Sequence, residues 1–303
     1  MAAEEFLSNL ARKWEPTELQ KQEVAANQRH LRELLHESRL PVLDSYLSGS
    51  YSRDTALRPI DDVDIVFIVE PSHWSQWPSL WRPEPYEVLD SFARAIRHRY
   101  TLSSVYGQRR SVNLRLSDLD IDVVPALSAN EHSSAIYVPD RQARTWILSN
   151  PKEHARQATQ VNRSRDGQLK PLVKLLKLWN RQLPSTAQVK SFLLETMALR
   201  IFRRYGIPSL EEGLVRFWDH MAYAAGEDTV LQWESVGIGL SGWSTSVPDV
   251  AETGGDVAGG LDSECRQKFV QRAISSRDKA LASLRARNNS YAVDHWKRAF
   301  HLL

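Results

Sequence analysis

The chain has 303 residues, of which 25% are charged and 42% are hydrophobic, and its formal net charge is only +2. This composition is ordinary for a globular protein of one or two domains, and it excludes a general polyanion binder, so any phosphate site must be a local patch. The single cysteine, Cys265, excludes a disulfide framework. No apolar run approaches the roughly 18 residues of a membrane span, and the first residues lack the regions of a signal peptide, so we expect a cytoplasmic protein without a membrane partner.

Hydrophobic spacing predicts both helices and strands in the first half of the chain. The predicted helices cover 17–38 and 86–99, a loop with one helical turn covers 51–57, and the predicted strands cover 43–48, 62–69, 109–116, 119–125 and 135–139. The continuous apolar run within 62–69 favours a strand inside a sheet that helices cover on one side. The stretch 71–86 contains Trp74, Trp77 and Trp81 beside prolines. It is predicted to be a loop packed by its tryptophans, with a base-binding lid as the alternative.

The second half is predicted to be helical, because its apolar residues recur near every 3.6 positions. The predicted helices cover 151–163, 168–182, 189–205, 209–225, 263–286 and 290–301. Between them, 237–262 is rich in Gly, Ser and Thr, and an exposed loop is expected there. The sequence therefore predicts an α+β fold, with a sheet-containing domain over 1–150 that includes an N-terminal helix, a helical domain over 151–303, and a cleft between them.

Two carboxylates lie one residue apart at the start of the buried strand. Residues i and i+2 of a strand share a face, so Asp62 and Asp64 project together, whereas Asp61 faces the other way and is expected to be a turn or cap residue. Like charges this close raise each other's pKa, which favours neutralisation by a divalent cation. An exposed edge strand is the alternative, but the apolar flanks of Asp-Val-Asp argue against it. Twelve residues earlier, Gly49-Ser50 forms a turn that allows a close approach to phosphate.

A third carboxylate is expected from the next predicted strand pair. Asp118, Asp120 and Asp122 share one face by alternation, and any of them could meet the first pair. Asp122 is preferred because Val123-Val124-Pro125 follows it, and the other two are expected to be solvated. Hard oxygen ligands in this number suit Mg²⁺, which keeps water and substrate phosphate among its ligands.

The predicted helix 168–182 carries a basic stripe of Lys170, Lys174, Lys177 and Arg181. Their spacing places these cations on one side, opposite a row of leucines. Either a solvated surface helix or a triphosphate clamp would produce this pattern, and Lys177 is the member that we favour for a clamp. The histidines lack zinc-like spacing, and the chain has neither a P-loop nor a dinucleotide-binding glycine motif.

Taken together, these residues resemble the DNA polymerase β-like nucleotidyltransferases. Within them the chain is most similar to bacterial antiviral second-messenger synthases, which are relatives of cyclic GMP-AMP synthase and oligoadenylate synthase. The resemblance covers nearly the whole chain, and the matching segments are 49–50, 62–64, 122–126, 146–151, 172–179, 190–195 and 292–296. It implies a polymerase-β-like nucleotidyltransferase sheet with helices, packed on a C-terminal helical domain that binds nucleotide.

The resemblance also implies roles for individual residues. Asp62, Asp64 and Asp122 would be catalytic and would hold two Mg²⁺ ions, with Mn²⁺ as a substitute. Gly49 and Ser50 would contact the triphosphate, as would Lys177 and Ser191, while Phe192 would stack on a base. The zinc-binding insertion of the animal DNA sensor is missing, as the lone cysteine shows, which argues against activation by double-stranded DNA.

We therefore expect an NTP-consuming nucleotidyltransferase, with ATP among its substrates, that makes a cyclic or short linear oligonucleotide signal in anti-phage defence. A regulatory protein or an RNA activator is an open possibility, and no structural nucleic acid is expected. A template-independent RNA nucleotidyltransferase, of the CCA- or poly(A)-adding type, is the main alternative. An NTP sensor without turnover and an antibiotic-modifying adenylyltransferase are weaker alternatives.

Overall fold

The computed structural model describes residues 2–60, 62–73, 82–117, 119–130, 132–240, 246–285 and 289–302. By its internal packing the chain forms two compact units. One unit spans Pro16–Arg156, and the other joins Met1–Glu15 to Gln157–Leu303. The predicted division was at residue 150, and the N-terminal helix assigned to the sheet domain was 17–38, which falls within Pro16–Arg156. The first fifteen residues, for which no helix was predicted, pack with the C-terminal helices.

The first unit, called here the sheet unit, is built on a mixed sheet. Its strands are β1 (Val42–Leu47), β2 (Asp62–Val69), β3 (Ser104–Gly107), β4 (Val112–Arg115), β5 (Asp120–Ser128), β6 (Ile136–Asp140) and β7 (Thr145–Ser149). The order is β1-β2-β5-β4-β3, and β6 pairs with both β5 and β7. The β2–β5 pair is parallel, whereas the other pairs are antiparallel. As predicted, β2 lies inside the sheet.

Two long helices, α2 (Glu18–Glu37) and α4 (Pro85–Arg99), cover one face of this sheet. Thr17 caps α2 in a capping box with Gln20, which satisfies amide groups that the helix itself cannot pair. The covered face presents alternate residues of β2, including Val63, Ile65 and Phe67. Because strand side chains alternate, Asp62 and Asp64 belong to the opposite face. A short helix, α3 (Gly49–Ser52), follows β1.

The second unit, called here the helical unit, contains α1 (Ala2–Lys13), α6 (Leu169–Gln182), α7 (Ser191–Arg204), α8 (Leu210–Ala225), α9 (Ser263–Arg285) and α10 (Asn289–Ala299). Helix α5 (Pro151–Arg163) crosses the boundary between the units. A cluster of buried aromatic rings forms the core, with Trp179 and Trp218 at a centroid distance of 5.5 Å. The Glu4 carboxylate accepts hydrogen bonds from the first amides of α8, at Leu210 and Glu211, which fixes α1 against that helix terminus.

The predicted fold class is confirmed: a mixed sheet with helices is accompanied by a helical C-terminal region. The predicted helices and strands are present, while α1, β3 and β7 were not predicted. The prediction of an exposed loop at 237–262 was partly wrong, because Ile238, Leu240, Val247 and Val250 are buried there although the segment is irregular. The tryptophan loop 74–81 lies outside the described residues. Within the part of the chain that the structure describes, the helices are too short or too polar to cross a membrane.

Candidate active site

The parallel pairing of β2 with β5 brings the predicted carboxylates together. Asp64 is the register partner of Asp122, and Asp62 is the partner of Asp120. All four residues lie on the sheet face opposite α2 and α4, since the intervening Val63 and its neighbours fill the core on the other side. Of the candidates for the third carboxylate, Asp122 is therefore directly beside Asp64.

Asp120 has a different environment. Its carboxylate accepts hydrogen bonds from the guanidinium of Arg115, at 3.1 Å from Nη2, and more than half of the Arg115 side chain is exposed. Asp120 was expected to be solvated, and its side chain, which is 29% exposed, takes part in this surface ion pair. Asp118 and Asp61 lie outside the described residues.

The electrostatics of the carboxylates oppose their ionisation. Burial, followed by the charges of Asp122 and Asp62, raises the pKa of Asp64 to about 6, although Arg53 partly offsets this. Burial also raises the pKa of Asp122, and a hydrogen bond from Asn113 opposes that rise. A carboxylate pair that repels itself in a low-dielectric site is stabilised when a cation binds.

The glycine-serine turn lies against the same carboxylates. Gly49 opens α3 with a φ of +63°, and a Cβ at this position would lie 2.0 Å from Oδ2 of Asp64. No side chain other than hydrogen fits there, so the backbone of α3 approaches Asp64 closely. The amide of Ser48 donates to the Asp64 carbonyl oxygen at 2.8 Å, which holds the turn in place. Gly49 and Ser50 are thus near Asp64, and their contact with a triphosphate stays a prediction.

The residues present fit a magnesium ion that relies partly on its substrate. Among the described residues, no three His, Cys, Asp or Glu side chains are arranged to enclose a metal by themselves. Mg²⁺ is commonly held by one or two carboxylates together with water and substrate phosphates, which is the set that Asp64, Asp122 and the exposed Asp62 can complete. The ligand roles of these three residues stay predictions.

The basic stripe on α6 differs from the solvated surface helix that was one expectation. Lys174 and Lys177 are only 4% and 5% exposed. Nζ of Lys177 lies 3.0 Å from Oε1 of Glu195 on α7, and Nζ of Lys174 lies 2.8 Å from Oε1 of Glu15. The surface interpretation is wrong for these two lysines, because both are buried and each meets a carboxylate: Glu195 is itself buried, whereas Glu15 is 42% exposed.

The other predicted nucleotide contacts lie on α7. Ser191, the first residue of that helix, is exposed, and Phe192 is half-buried. Glu195 is buried one turn further along the same helix, where it meets Lys177. Contact of Lys177, Ser191 and Phe192 with a nucleotide stays a prediction.

Sequence reasoning missed polar groups beside the carboxylates, among them Asn113 and Arg53. Nδ2 of Asn113 on β4 donates to Oδ1 of Asp122 at 2.9 Å, and the Asn113 side chain is only 3% exposed. Arg53, which follows α3 and is 8% exposed, acts electrostatically on Asp64. One signal was available for Asn113, which is a polar residue between the apolar Val112 and Leu114. Its pairing with Asp122 required the strand register.

Comparison with known proteins provides an independent view. The family model described as the Second Messenger Oligonucleotide or Dinucleotide Synthetase domain (SMODS) matches residues 1–162. A cyclic AMP-AMP-AMP synthase of Acinetobacter sp. is 34% identical over 171 residues, which cover 53% of this chain and 46% of that protein. A probable cyclic nucleotide synthase of Bacillus cereus is 25% identical over 182 residues, which cover 51% of this chain and 54% of that protein. The chain therefore spans about half the length of these curated relatives.

The fold is also similar to that of solved structures. The CdnC protein of E. coli MS115-1, in its complex with HORMA-deltaN, has a TM-score of 0.76 at 18% identity, with coverage of 98% of this chain and 96% of that chain. The same protein with ATP has a TM-score of 0.75 at 19% identity, with coverage of 98% and 97%. At these identities the likeness shows a shared fold.

Proposed function

Because the chain belongs to the Second Messenger Oligonucleotide or Dinucleotide Synthetase domain family, we propose that it is a nucleotidyltransferase that converts nucleoside triphosphates into a cyclic or short linear oligonucleotide. The observation that carries this proposal is the pairing of Asp64 with Asp122 across parallel strands, with Gly49 against the Asp64 carboxylate. Two carboxylates that repel each other favour a bound cation, and the glycine of the adjacent turn leaves room for phosphate groups. This arrangement therefore suits a metal-bound triphosphate.

In the proposed reaction, a ribose hydroxyl oxygen forms a bond to the α-phosphorus of an NTP. The bond from that phosphorus to the bridging oxygen breaks, and pyrophosphate departs with the electron pair. Asp62, Asp64 and Asp122 would hold Mg²⁺, which when bound supplies positive charge to the phosphate oxygens and acidifies the attacking hydroxyl. Asp122, whose carboxylate Asn113 holds, is assigned the role of accepting the hydroxyl proton.

The comparisons support finer parts of the proposal. ATP is proposed as one substrate, since the Acinetobacter relative is named a cyclic AMP-AMP-AMP synthase and CdnC has been solved with ATP. A regulatory protein partner is proposed, since CdnC has been solved in a complex with HORMA-deltaN. Anti-phage signalling is proposed as the setting, on the resemblance to antiviral synthases.

Product analysis tests this function directly. Purified, nuclease-treated protein is incubated with all four NTPs and Mg²⁺ or Mn²⁺, and the products are identified by mass spectrometry. We expect pyrophosphate and an oligonucleotide without any added primer. Activity that disappears after nuclease treatment and returns with added RNA would favour the RNA nucleotidyltransferase instead. Binding of ATP without any product, under every metal and nucleotide condition, would favour an NTP sensor.

A matched pair of variants tests the third carboxylate. Asp122→Ala should abolish product formation, because it removes the register partner of Asp64, whereas Asp120→Ala should retain it. Both residues lie on the same face of β5, and Asp120 pairs with the exposed Arg115. Binding of a non-hydrolysable ATP analogue, measured by calorimetry, should largely survive in both variants. An active Asp122→Ala beside an inactive Asp120→Ala would exchange their assigned roles.

A further inference from the structure

A buried amide lies on the carboxylate face of the sheet. Asn113 on β4 is the antiparallel register partner of Asp122 on β5. Nδ2 of its side chain donates to Oδ1 of Asp122 at 2.9 Å, while its own Oδ1 is buried and has no hydrogen-bond partner among the described residues. With only 3% of Asn113 exposed, this half-satisfied amide is shielded from solvent.

An amide in this state is costly for folding alone. A buried polar group without a partner loses its hydration and gains nothing in return, and native proteins retain few of them. The adjacent β4 residues Val112 and Leu114 are apolar and fully buried in the core on the other face of the sheet. A structural role for Asn113 would therefore be served at least as well by a side chain without an orphaned oxygen.

The same amide is well suited to hold Asp122. A carboxylate on a strand can rotate about two side-chain bonds, and a donor fixed on the neighbouring strand selects one orientation. Ser111, which directly precedes β4 and is 5% exposed, also lies close enough to influence Asp122. Its hydroxyl has a single proton, which it donates to Oε1 of Gln108 at 2.8 Å, so the Asn113 amide is the donor that remains directed at Asp122.

We propose that Asn113 is a positioning residue, whose Nδ2 fixes the Asp122 carboxylate in its working orientation. This inference rests on the proposed function, because it assigns Asp122 to the same site. Residues that orient metal-binding or catalytic side chains typically contribute a factor of about 10 to 100 to metal affinity or activity. The effect should appear in kcat, since the orientation of Asp122 matters in the reaction, while the NTP itself is bound by other groups.

Three variants at this position separate positioning from folding. Asn113→Ala removes the donor, Asn113→Ser keeps a shorter hydroxyl donor, and Asn113→Asp replaces the donor with a like charge beside Asp122. We expect kcat to fall about 10-fold or more in Asn113→Ala with KM for NTP within about twofold, to recover partly in Asn113→Ser, and to be lowest in Asn113→Asp. Arg115→Ala is the matched control, because Arg115 shares the strand and face with Asn113 but pairs with Asp120. It should leave kcat unchanged.

A binding measurement provides a readout that does not depend on turnover. Mn²⁺ affinity is measured by electron paramagnetic resonance, with a non-hydrolysable ATP analogue present, in the parent, Asn113→Ala and Arg115→Ala. Weaker Mn²⁺ binding in Asn113→Ala alone, at an unchanged melting temperature, supports the inference. Unchanged kcat and Mn²⁺ affinity in Asn113→Ala overturn it, while product formation by the parent and its loss in Asp122→Ala keep the proposed function. A parent without product under any condition overturns the proposed function instead.

Discussion

In the helical unit, buried charges meet charges of the opposite sign. Lys177 lies 3.0 Å from Glu195, and Arg277 lies 2.8 Å from Asp219, whose side chain is completely buried. At the β2–β5 pair of the sheet unit, like charges lie side by side instead, with Asp64 beside Asp122. Both arrangements remove ionised groups from water, which is unfavourable. Only in the helical unit does attraction between opposite charges of the protein itself offset this desolvation. The difference indicates which buried charges serve the fold and which require a ligand.

The largest expected effect is on the stability of the helical unit. Asp219 accepts hydrogen bonds from the amides of Val230 and Leu231 and from Trp233 Nε1, in addition to its ion pair with Arg277. Asp219→Asn should lower the free energy of unfolding by about 3–5 kcal/mol, because a buried guanidinium loses its counter-charge. Urea denaturation at pH 7 measures this change.

A second partner of the same guanidinium provides the control. Asp278 lies 3.0 Å from Nε of Arg277, but its side chain is 60% exposed. Asp278→Asn should change the free energy of unfolding by less than about 1 kcal/mol, as is usual for exposed pairs. Equal losses in the two variants would mean that burial does not distinguish these carboxylates, and the comparison between the units would fail.

The next largest effect is on catalysis in the sheet unit. Here the loss of a carboxylate charge should not lower stability, in contrast to Asp219→Asn in the helical unit. Asp62→Asn and Asp64→Asn should each reduce turnover at least 100-fold, which corresponds to about 3 kcal/mol in the barrier. Because each substitution removes like-charge repulsion, the melting temperature should stay the same or rise. Initial rates of pyrophosphate release and thermal denaturation measure the two quantities on the same samples. Turnover within about threefold of the parent, in either variant, would remove the carboxylate–metal proposal.

Local patterns in the sequence predicted most of this architecture, because each helix and interior strand buries one face at a regular spacing. Helix α1 follows the same rule through Ala3, Leu7, Leu10 and Ala11, so its signal was present although it was not predicted. Strands β3 and β7 are largely exposed or half-buried and lack such a signal.

The candidate site was predictable only in part, for a physical reason. Asp62, Asp64 and Asp122 stand out because carboxylates beside continuous apolar runs are unusual. The contacts of Asn113 with Asp122 and of Lys177 with Glu195 depend on strand register and helix packing. Periodicity shows that a residue is buried but does not show which residue it meets. For this reason the basic stripe on α6 left both interpretations open.

An intermediate effect is expected for Lys177. This residue is paired with Glu195 inside the helical unit, and it is also predicted to contact the NTP phosphates. Lys177→Met should raise KM for NTP, since a charge-assisted hydrogen bond to phosphate contributes about 1.5–3 kcal/mol. It should also lower stability, because it removes the cation that lies 3.0 Å from the buried Glu195 carboxylate. The double variant Lys177→Met/Glu195→Leu should regain stability but keep the raised KM. Lys170→Ala, at the start of the stripe, should raise KM less. Equal changes in KM for Lys170→Ala and Lys177→Met would indicate a diffuse positive field instead of a specific contact.

The smallest expected effect concerns His220, an exception to the pairing of buried groups in the helical unit. Its ring packs against Trp233 at a centroid distance of 4.7 Å, and its Nδ1 is buried without a partner among the described residues. Burial lowers the pKa of His220 to about 4, although the charge of Asp219 opposes this. In the unfolded chain the pKa of this histidine is near 6.5, so the unfolded state takes up the proton first as the pH falls. The free energy of unfolding is therefore unaffected by His220 above about pH 6.5, and it decreases as the pH falls towards 4.

By pH 5 the protonation of His220 in the unfolded state should lower the free energy of unfolding by about 2 kcal/mol, and His220→Phe should remove that part of the pH dependence. Free energies of unfolding from urea titrations at pH 7, 6 and 5 measure it for both proteins, and parallel pH profiles would show that the buried imidazole does not contribute.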